Sequence, residues 1–422
     1  MRSLRHGISF LSLCLVSACV VRLSDGNEAL PNGGVSGPAA DCNATSIIPR
    51  EPTFGDPEPR FVGRVDTSEP GKARFAWSGT QVKARFTGTS ITMLLTSHRQ
   101  PIADTTASIN DPTAYTVVID DRAPFKVDVT QYTSSYLLAN DLAGDKEHEI
   151  VVHRNVEAEV GVADFLGFTL SEGASFLPAK IQQRRIEILG DSITCGFGNE
   201  GANASCAFST TTENNSLASG SIAGRELAAE VTTVCYSGRG VSRNNTGDTA
   251  GTAPVLYRYT IPTSALDEAA RPTATVCEDT SSGSIPADPN CYRFADSPPH
   301  AVVIALGTND WFLGVPDLSA FQNAYRDLIL FVRSKYPEAH IFCALSPMLN
   351  DSADGKPRST TRAMITNVVA AFNAANDPRV YSMEFLEQDN RNGLGCAGHP
   401  NLVTHERLAE QLVGAVRSKL CW

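Results

Sequence analysis

Four short segments carry side chains suited to acyl chemistry. Gly190-Asp191-Ser192-Ile193-Thr194 follows an apolar run. A serine at such a strand-to-helix junction can expose its hydroxyl as a nucleophile while the following backbone amides face an oxyanion. Gly-Asp-Ser is also ordinary turn chemistry, so the tripeptide alone decides nothing. In Tyr236-Ser237-Gly238-Arg239-Gly240 the glycines let backbone approach a ligand closely, and by themselves they are a turn. Gly307-Thr308-Asn309-Asp310 places an amide side chain where it can donate to developing negative charge; the plain reading is the start of a loop. Gly398-His399-Pro400-Asn401 sets an imidazole just ahead of a helix starting near Leu402, in position to take a serine proton. A lone histidine there would otherwise be surface filler.

The elements around these segments give them a common address. From about residue 180 onward, strand-like runs at 186–189, 232–237, 301–307, 340–347 and 380–385 alternate with amphipathic stretches at 217–229, 318–335, 360–376 and 402–419. In the second stretch Phe321, Ala324, Leu328 and Val332 fall on one stripe at three- and four-residue spacing. Such alternation predicts a parallel sheet with helices on both faces, whose functional groups emerge at the carboxyl ends of the strands. Ser, Gly, Asn and His then lie in that order at one end of one sheet. That joint occurrence lifts each above its plain reading. Between about 60 and 170 the pattern is different: short alternating runs at 74–77, 81–86, 90–95, 115–120, 125–129 and 148–154, separated by Gly, Pro, Asn and Asp. Many strands without helices between them predict a β-sandwich of jelly-roll type.

With these blocks in view, the chain resembles the SGNH (GDSL-like) hydrolases, and within them the carbohydrate esterase family two acetyl esterases, in which a jelly roll precedes the SGNH domain. The stretches that carry the likeness are 61–91, VADFLGF at 162–168, RRIEILGDSITCGFG at 184–198, YSGRGV at 236–241, ALGTND at 305–310 and GCAGHPN at 395–401. The resemblance implies an all-β jelly-roll sandwich at 59–175 followed by a flavodoxin-like three-layer α/β SGNH domain at 180–422. It implies Ser192 as nucleophile, His399 as general base and then acid, and an oxyanion hole of the Ser192 N–H, the Gly240 N–H and the Asn309 side chain, with Gly238 as fallback for the glycine. The expected partner is an acetylated polysaccharide or oligosaccharide of xylan or mannan type, with no cofactor. One departure matters. Related members resemble GCDWHP where this chain has Ala397 and Gly398, so no carboxylate stands ready to support His399. A Ser-His dyad follows, its imidazole oriented by a backbone carbonyl or by water. Trp311 and Phe312 become candidate sugar-facing walls, with burial in the core the competing reading. Three further readings are weighed beside these. His405 competes for the base from inside the last helix, Asp191 and Asp310 hold their own loops, and Glu213 and Asn214 either meet substrate or line a solvated loop.

Composition narrows the remaining choices. Thirty-five Lys plus Arg against 46 Asp plus Glu leave a net charge of −11 with no long basic tract, which excludes a phosphate-tracking nucleic-acid binder. Arg2, Arg5 and His6 precede an apolar stretch from Ile8 to Val16, the layout of a secretory signal over 1–19. Val16-Ser17-Ala18-Cys19 resembles a lipobox, so any membrane contact is expected only through a lipid on Cys19. Residues 20–58, rich in Gly and Pro, read as a flexible linker, and a monomer is expected. Beyond Cys14 and Cys19 nine cysteines remain, an odd number that cannot all pair within the chain. Export favours disulfides. Cys277–Cys291 is the first expectation and Cys195–Cys206 the second, while Cys235 and Cys343 read as small buried side chains. No spacing suits a metal. Two alternatives to the esterase stay open: a surface lipoprotein that binds carbohydrate without turnover, and a lipase acting on other acyl esters.

Overall fold

The computed structural model describes residues 34–43, 47–99, 111–262, 277 and 290–422. The signal and Cys19 lie outside them. Short alternating runs become strands β1 (Thr53–Phe54), β2 (Arg60–Val62), β3 (Ala73–Phe75), β4 (Gln81–Thr87), β5 (Ile91–Arg99) and β6 (Thr113–Ile119). They continue with β7 (Phe125–Val129), β8 (Ser135–Ala139), β9 (Glu147–Arg154), β10 (Gly161–Leu170), β11 (Phe176–Leu177) and β12 (Lys180–Ile181). In β4 the buried Val82, Ala84 and Phe86 alternate with the half-exposed Gln81, Lys83 and Arg85, because successive strand side chains point to opposite faces. Two antiparallel sheets result, ordered β3-β10-β5-β8 and β11-β4-β9-β6-β7, with β2 beside β4. They enclose a core that includes Phe75, Phe86, Met93, Leu95, Tyr115 and Phe165.

The second half alternates β13 (Arg184–Gly190), α1 (Ser192–Cys195), α2 (Ser219–Leu227), β14 (Ala229–Cys235) and α3 (Ala253–Leu256). β15 (Ala301–Ala305), α4 (Leu318–Lys335), β16 (His340–Leu345), α5 (Pro357–Ala374), β17 (Val380–Glu384) and α6 (Leu402–Leu420) follow. The five strands are parallel, in the order β14-β13-β15-β16-β17. Apolar side chains of α4 and α5 cover one face and those of α2 and α6 the other, which makes three layers. On α4 the expected stripe is buried at Phe321, Leu328 and Val332, widened by Tyr325 and Ile329, while Ala324 is only half-buried. Asp317 caps its first turn by accepting from the Ala320 N–H at 2.9 Å, an interaction worth about 1 kcal/mol.

Two expectations are corrected. The described part of 20–58 is no free linker. Cys42 is bonded to Cys421, Ser36 N–H donates to Ser382 O at 2.8 Å, Lys419 Nζ donates to Gly37 O at 2.8 Å, and β1 pairs with β12. Low apolar content left it without a core of its own, so it straps onto the second domain by backbone bonds and a disulfide. The cysteine pairing also differs. Cys277–Cys291 forms, but Cys195 pairs with Cys235 and Cys206 with Cys396, leaving Cys343 free and buried. Cys195 reaches Cys235 because β13 and β14 are neighbours whose ends align at Gly190 and Cys235.

The sandwich is locked to the parallel sheet by a buried ion pair. Arg64 Nη2 lies 3.3 Å from Glu187 Oε2 on β13, and its guanidinium sits 3.9 Å from the centre of the Tyr292 ring. Such a pair costs desolvation, which here is offset by hydrogen bonds from Arg64 to the Tyr257 and Tyr259 carbonyls.

Candidate active site

Ser192 begins α1 at the carboxyl end of β13, and only 8% of its surface is exposed. The turn before it is tight. A Cβ on Gly190 would stand 1.9 Å from Thr194 Oγ1, so no larger residue fits. Asp191 caps the helix locally, accepting from the Ile193 N–H at 3.1 Å. Burial pushes its carboxyl up to about 7.

His399 Nε2 lies 2.8 Å from Ser192 Oγ. Its Nδ1 lies 3.2 Å from the Cys396 carbonyl oxygen. A carbonyl only accepts, so Nδ1 carries the hydrogen and Nε2 turns its lone pair to the hydroxyl. No carboxylate bonds the imidazole among the described residues. The loop that supplies the carbonyl is crosslinked through Cys206–Cys396 and closed by Ala397 N–H donating to Cys206 O at 3.0 Å and Cys396 N–H donating to Gly198 O at 2.9 Å. Ala397 holds a left-handed backbone with φ 51°, a strain that these bonds offset. The Phe197 ring packs on the imidazole at 4.3 Å, and the resulting loss of water pulls the histidine down to about 4.

The candidate oxyanion donors converge from three strand ends. The Ser192 N–H, first amide of α1, has no acceptor among the described residues. Asn309 Nδ2 donates to Arg239 O at 3.0 Å and approaches Asp191 Oδ2 at 3.4 Å. The Gly240 N–H points to Asn244 Oδ1 at 3.3 Å, and a Cβ on Gly240 would meet Arg243 O at 2.0 Å. Gly238 takes the turn conformation with φ 75°, its carbonyl accepting from Asn245 N–H. Asp310 does more than hold its own loop. Its carboxylate accepts from the N–H groups of Val241, Ser242 and Arg243 at 2.8 to 3.0 Å, which welds the β15 loop to the glycine loop nearly seventy residues away. From the other side Glu157 of the sandwich accepts from Ser237 N–H at 2.7 Å and Ser237 Oγ at 2.6 Å. The jelly roll therefore braces the site directly.

Other expected residues fall elsewhere. Trp311 is 7% exposed and donates from Nε1 to Thr361 Oγ1 at 2.8 Å, so it belongs to the core rather than to a sugar-facing wall. Phe312 is 70% exposed beside Leu313 and Val315, which are also exposed. His405 is buried, with Nδ1 accepting from Ser219 N–H at 3.2 Å. It takes no part in the Ser192 pair. Glu213 is buried and accepts from Glu157 N–H, and Asn214 caps the turn after it, so neither lies on a solvated loop. Sequence reasoning missed Phe197, Asn244, Glu157 and the Cys206–Cys396 bridge. Among the described residues Glu157, Cys195 and Glu213 come close enough together to suggest a metal, but the Cys195 sulfur is committed to Cys235.

A five-stranded parallel sheet with a serine and a histidine meeting at its carboxyl edge defines a hydrolase of the GDSL-like lipase/acylhydrolase class, whose family model matches residues 188–407. The carbohydrate esterase 2 N-terminal model matches residues 61–179. The chain belongs to carbohydrate esterase family two and is a carboxylic ester hydrolase. It is 32% identical over 88% of its length to the cellulase/esterase CelE of Acetivibrio thermocellus, of which it spans 40%. It is 25% identical to an acetylxylan esterase / glucomannan deacetylase of Cellvibrio japonicus, covering 90% of this chain and 95% of that one. A solved family two carbohydrate esterase from Clostridium thermocellum in complex with cellohexaose superposes with a TM-score of 0.72 at 32% identity, over 86% of this chain and 99% of that one.

Proposed function

We propose that the protein removes acetyl groups from acetylated plant polysaccharides or their oligomers, of xylan or mannan type, through a Ser192–His399 dyad. The observation that carries this reading is the 2.8 Å contact between His399 Nε2 and Ser192 Oγ, with Nδ1 held by a carbonyl. His399 takes the Ser192 proton as Oγ attacks the acetyl carbonyl, and the electron pair moves onto the carbonyl oxygen. Ser192 N–H, Asn309 Nδ2 and Gly240 N–H receive that charge. For Gly240 this exchanges a 3.3 Å bond to the neutral Asn244 amide for a charge-assisted one. The tetrahedral intermediate collapses with transfer of the proton from His399 to the departing sugar oxygen, which leaves an acetyl-serine. Water, deprotonated by His399, then attacks the ester, and acetate leaves as Ser192 regains the proton.

The likeness to an acetylxylan esterase / glucomannan deacetylase of Cellvibrio japonicus and to the Clostridium thermocellum esterase in complex with cellohexaose supports a carbohydrate ester as substrate. The exposed Phe312 beside Asn309 supplies an apolar surface for a sugar face. Four disulfides support export to an oxidising compartment, with or without a lipid on Cys19. The test is acetate release from acetylated xylan, mannan and cello-oligomers by the parent and by Ser192→Ala. Turnover lost in the variant upholds the proposal. Glycan retention without turnover replaces it with a binding protein, and activity rising strongly with acyl length replaces it with a lipase.

A further inference from the structure

A groove of about 630 Å³ runs between the sandwich and the catalytic domain, well within the range of small-ligand sites, and neither Ser192 nor His399 lines it. Its origin is the strand period. Val82, Ala84, Tyr115, Val117, Ile150 and Val152 point into the sandwich core, so their neighbours point out, towards α2 and β14. Cross-strand register then builds two rows on that outer face: Gln81, His153 and Thr116 in one, Lys83, Val151 and Val118 in the other. The first row is closed by bonds to the catalytic domain, His153 Nε2 to Asn215 Oδ1 at 3.1 Å and Ser216 Oγ to Thr116 Oγ1 at 3.0 Å. The second row stays open.

The open part carries unspent polar capacity above an apolar floor. Lys83, Lys126 and Arg225 line it against the single carboxylate Glu200, and Glu200 is already paired with Lys126. Lys83 Nζ comes no nearer than 3.8 Å to Glu230, whose carboxylate is taken by the Arg60 guanidinium. Burial pulls the Lys83 ammonium below its ordinary range, as expected of a cation with too little counter-charge. Arg225 donates one hydrogen bond, to Ser216 O at 2.8 Å, and meets no carboxylate among the described residues. Gln182 Oε1 is buried without a donor. Val118, Val151 and Phe125 supply flat apolar surface beside these groups. In a chain whose net charge is −11, this is a local excess of positive charge.

We infer that this interdomain groove is a second binding site for a saccharide carrying a carboxylate, a uronic acid unit on an oligosaccharide. The carboxylate pairs with Lys83 and Arg225, the ring hydroxyls meet Gln182 Oε1 and the Gln81 amide, and the C–H face of the pyranose lies on Val118 and Val151. A strong polyanion is disfavoured, because the groove offers only two cations short of counter-charge in a chain whose net charge is −11. The inference rests on the groove alone and stands whether or not Ser192 turns over acetate.

The test is calorimetric titration of the full chain with two probes of equal backbone length, a xylo-oligosaccharide bearing one glucuronate and its neutral counterpart. It is made in the parent, Ser192→Ala, Lys83→Gln, Arg225→Gln and the groove-filling Val118→Trp, with acetate release from a neutral acetylated oligomer read in parallel. The expected result is binding of the acidic probe at least tenfold tighter than the neutral one. That preference should persist in Ser192→Ala, fall tenfold or more in Lys83→Gln and in Arg225→Gln, and vanish in Val118→Trp while acetate release from the neutral oligomer stays within twofold. Equal binding of both probes, or a preference that survives all three groove variants, overturns the site. Loss of acetate release alone would instead count against the esterase reading.

Discussion

The two residues of the proposed catalytic pair are held in different ways. Ser192 stands at the end of β13, with parallel strands on both sides, and its position follows from a backbone ladder continued into a helix start. His399 belongs to no strand. It hangs from a turn whose shape is set by one disulfide, one left-handed alanine and bonds to Gly198 and Cys206. Where chymotrypsin-like sites orient the imidazole with a carboxylate, here a carbonyl does so, and that carbonyl belongs to a crosslinked cysteine. The contrast shows that the proposed nucleophile relies on secondary structure for its place, whereas its proposed base depends on a crosslinked turn.

Several changes should separate the two halves. Removing either member of the pair acts on both at once: Ser192→Ala and His399→Ala should each lower kcat by roughly 10⁶-fold, with the double variant no worse, because the two residues act as a unit. Acetate release under saturating substrate checks this. On the serine side, Asn309→Ala should cost about 10²- to 10³-fold in kcat with little change in KM, as expected for a donor engaged in the transition state. On the histidine side, Cys206→Ser frees the Cys396 carbonyl and should lower kcat about tenfold, since small displacements of a base are costly. Cys277→Ser, whose bridge to Cys291 packs with Tyr259 and has no bond to either residue of the pair, should stay near the parent rate.

The pH profile sharpens the same comparison. The imidazole must be neutral to accept the serine proton, and burial sets it near 4. The rate on an activated acetate should therefore stay level as pH falls from 7 and drop with unit slope only through about pH 4. In Cys206→Ser, water reaching the ring should move that limb up towards the ordinary imidazole value of about 6.5. A limb already at the ordinary value in the parent would show that His399 is not desolvated. The smallest effect is expected at Trp311→Phe, which removes one buried hydrogen bond to Thr361 and should cost about 1 kcal/mol of stability, read from denaturant unfolding, with kcat unchanged.

Much of the architecture was legible because local rules govern it. Strict alternation in β4 and the three- and four-residue stripe of α4 reflect single-element periodicity, and α4 spans the predicted 318–335. The order of Ser, Gly, Asn and His along the chain was equally plain, since each motif directly follows a strand or precedes a helix. Trp311 and Phe312 mark the boundary of that reasoning: adjacent residues of similar character, one buried against α5 and one open to solvent, a difference that depends on the direction in which the turn after β15 leaves the sheet.

By itself the sequence determined the element types, their order and which side chains are candidates for the reaction, because these rest on periodicity and on residue chemistry within a few positions. Which cysteines met, what oriented His399, how Asp310 and Glu157 fastened the glycine loop, and that a positively charged groove opened between the domains were decided only in three dimensions. Each of these joins segments tens to hundreds of residues apart. Their encounter depends on how the sheets stack and align, which no local pattern encodes.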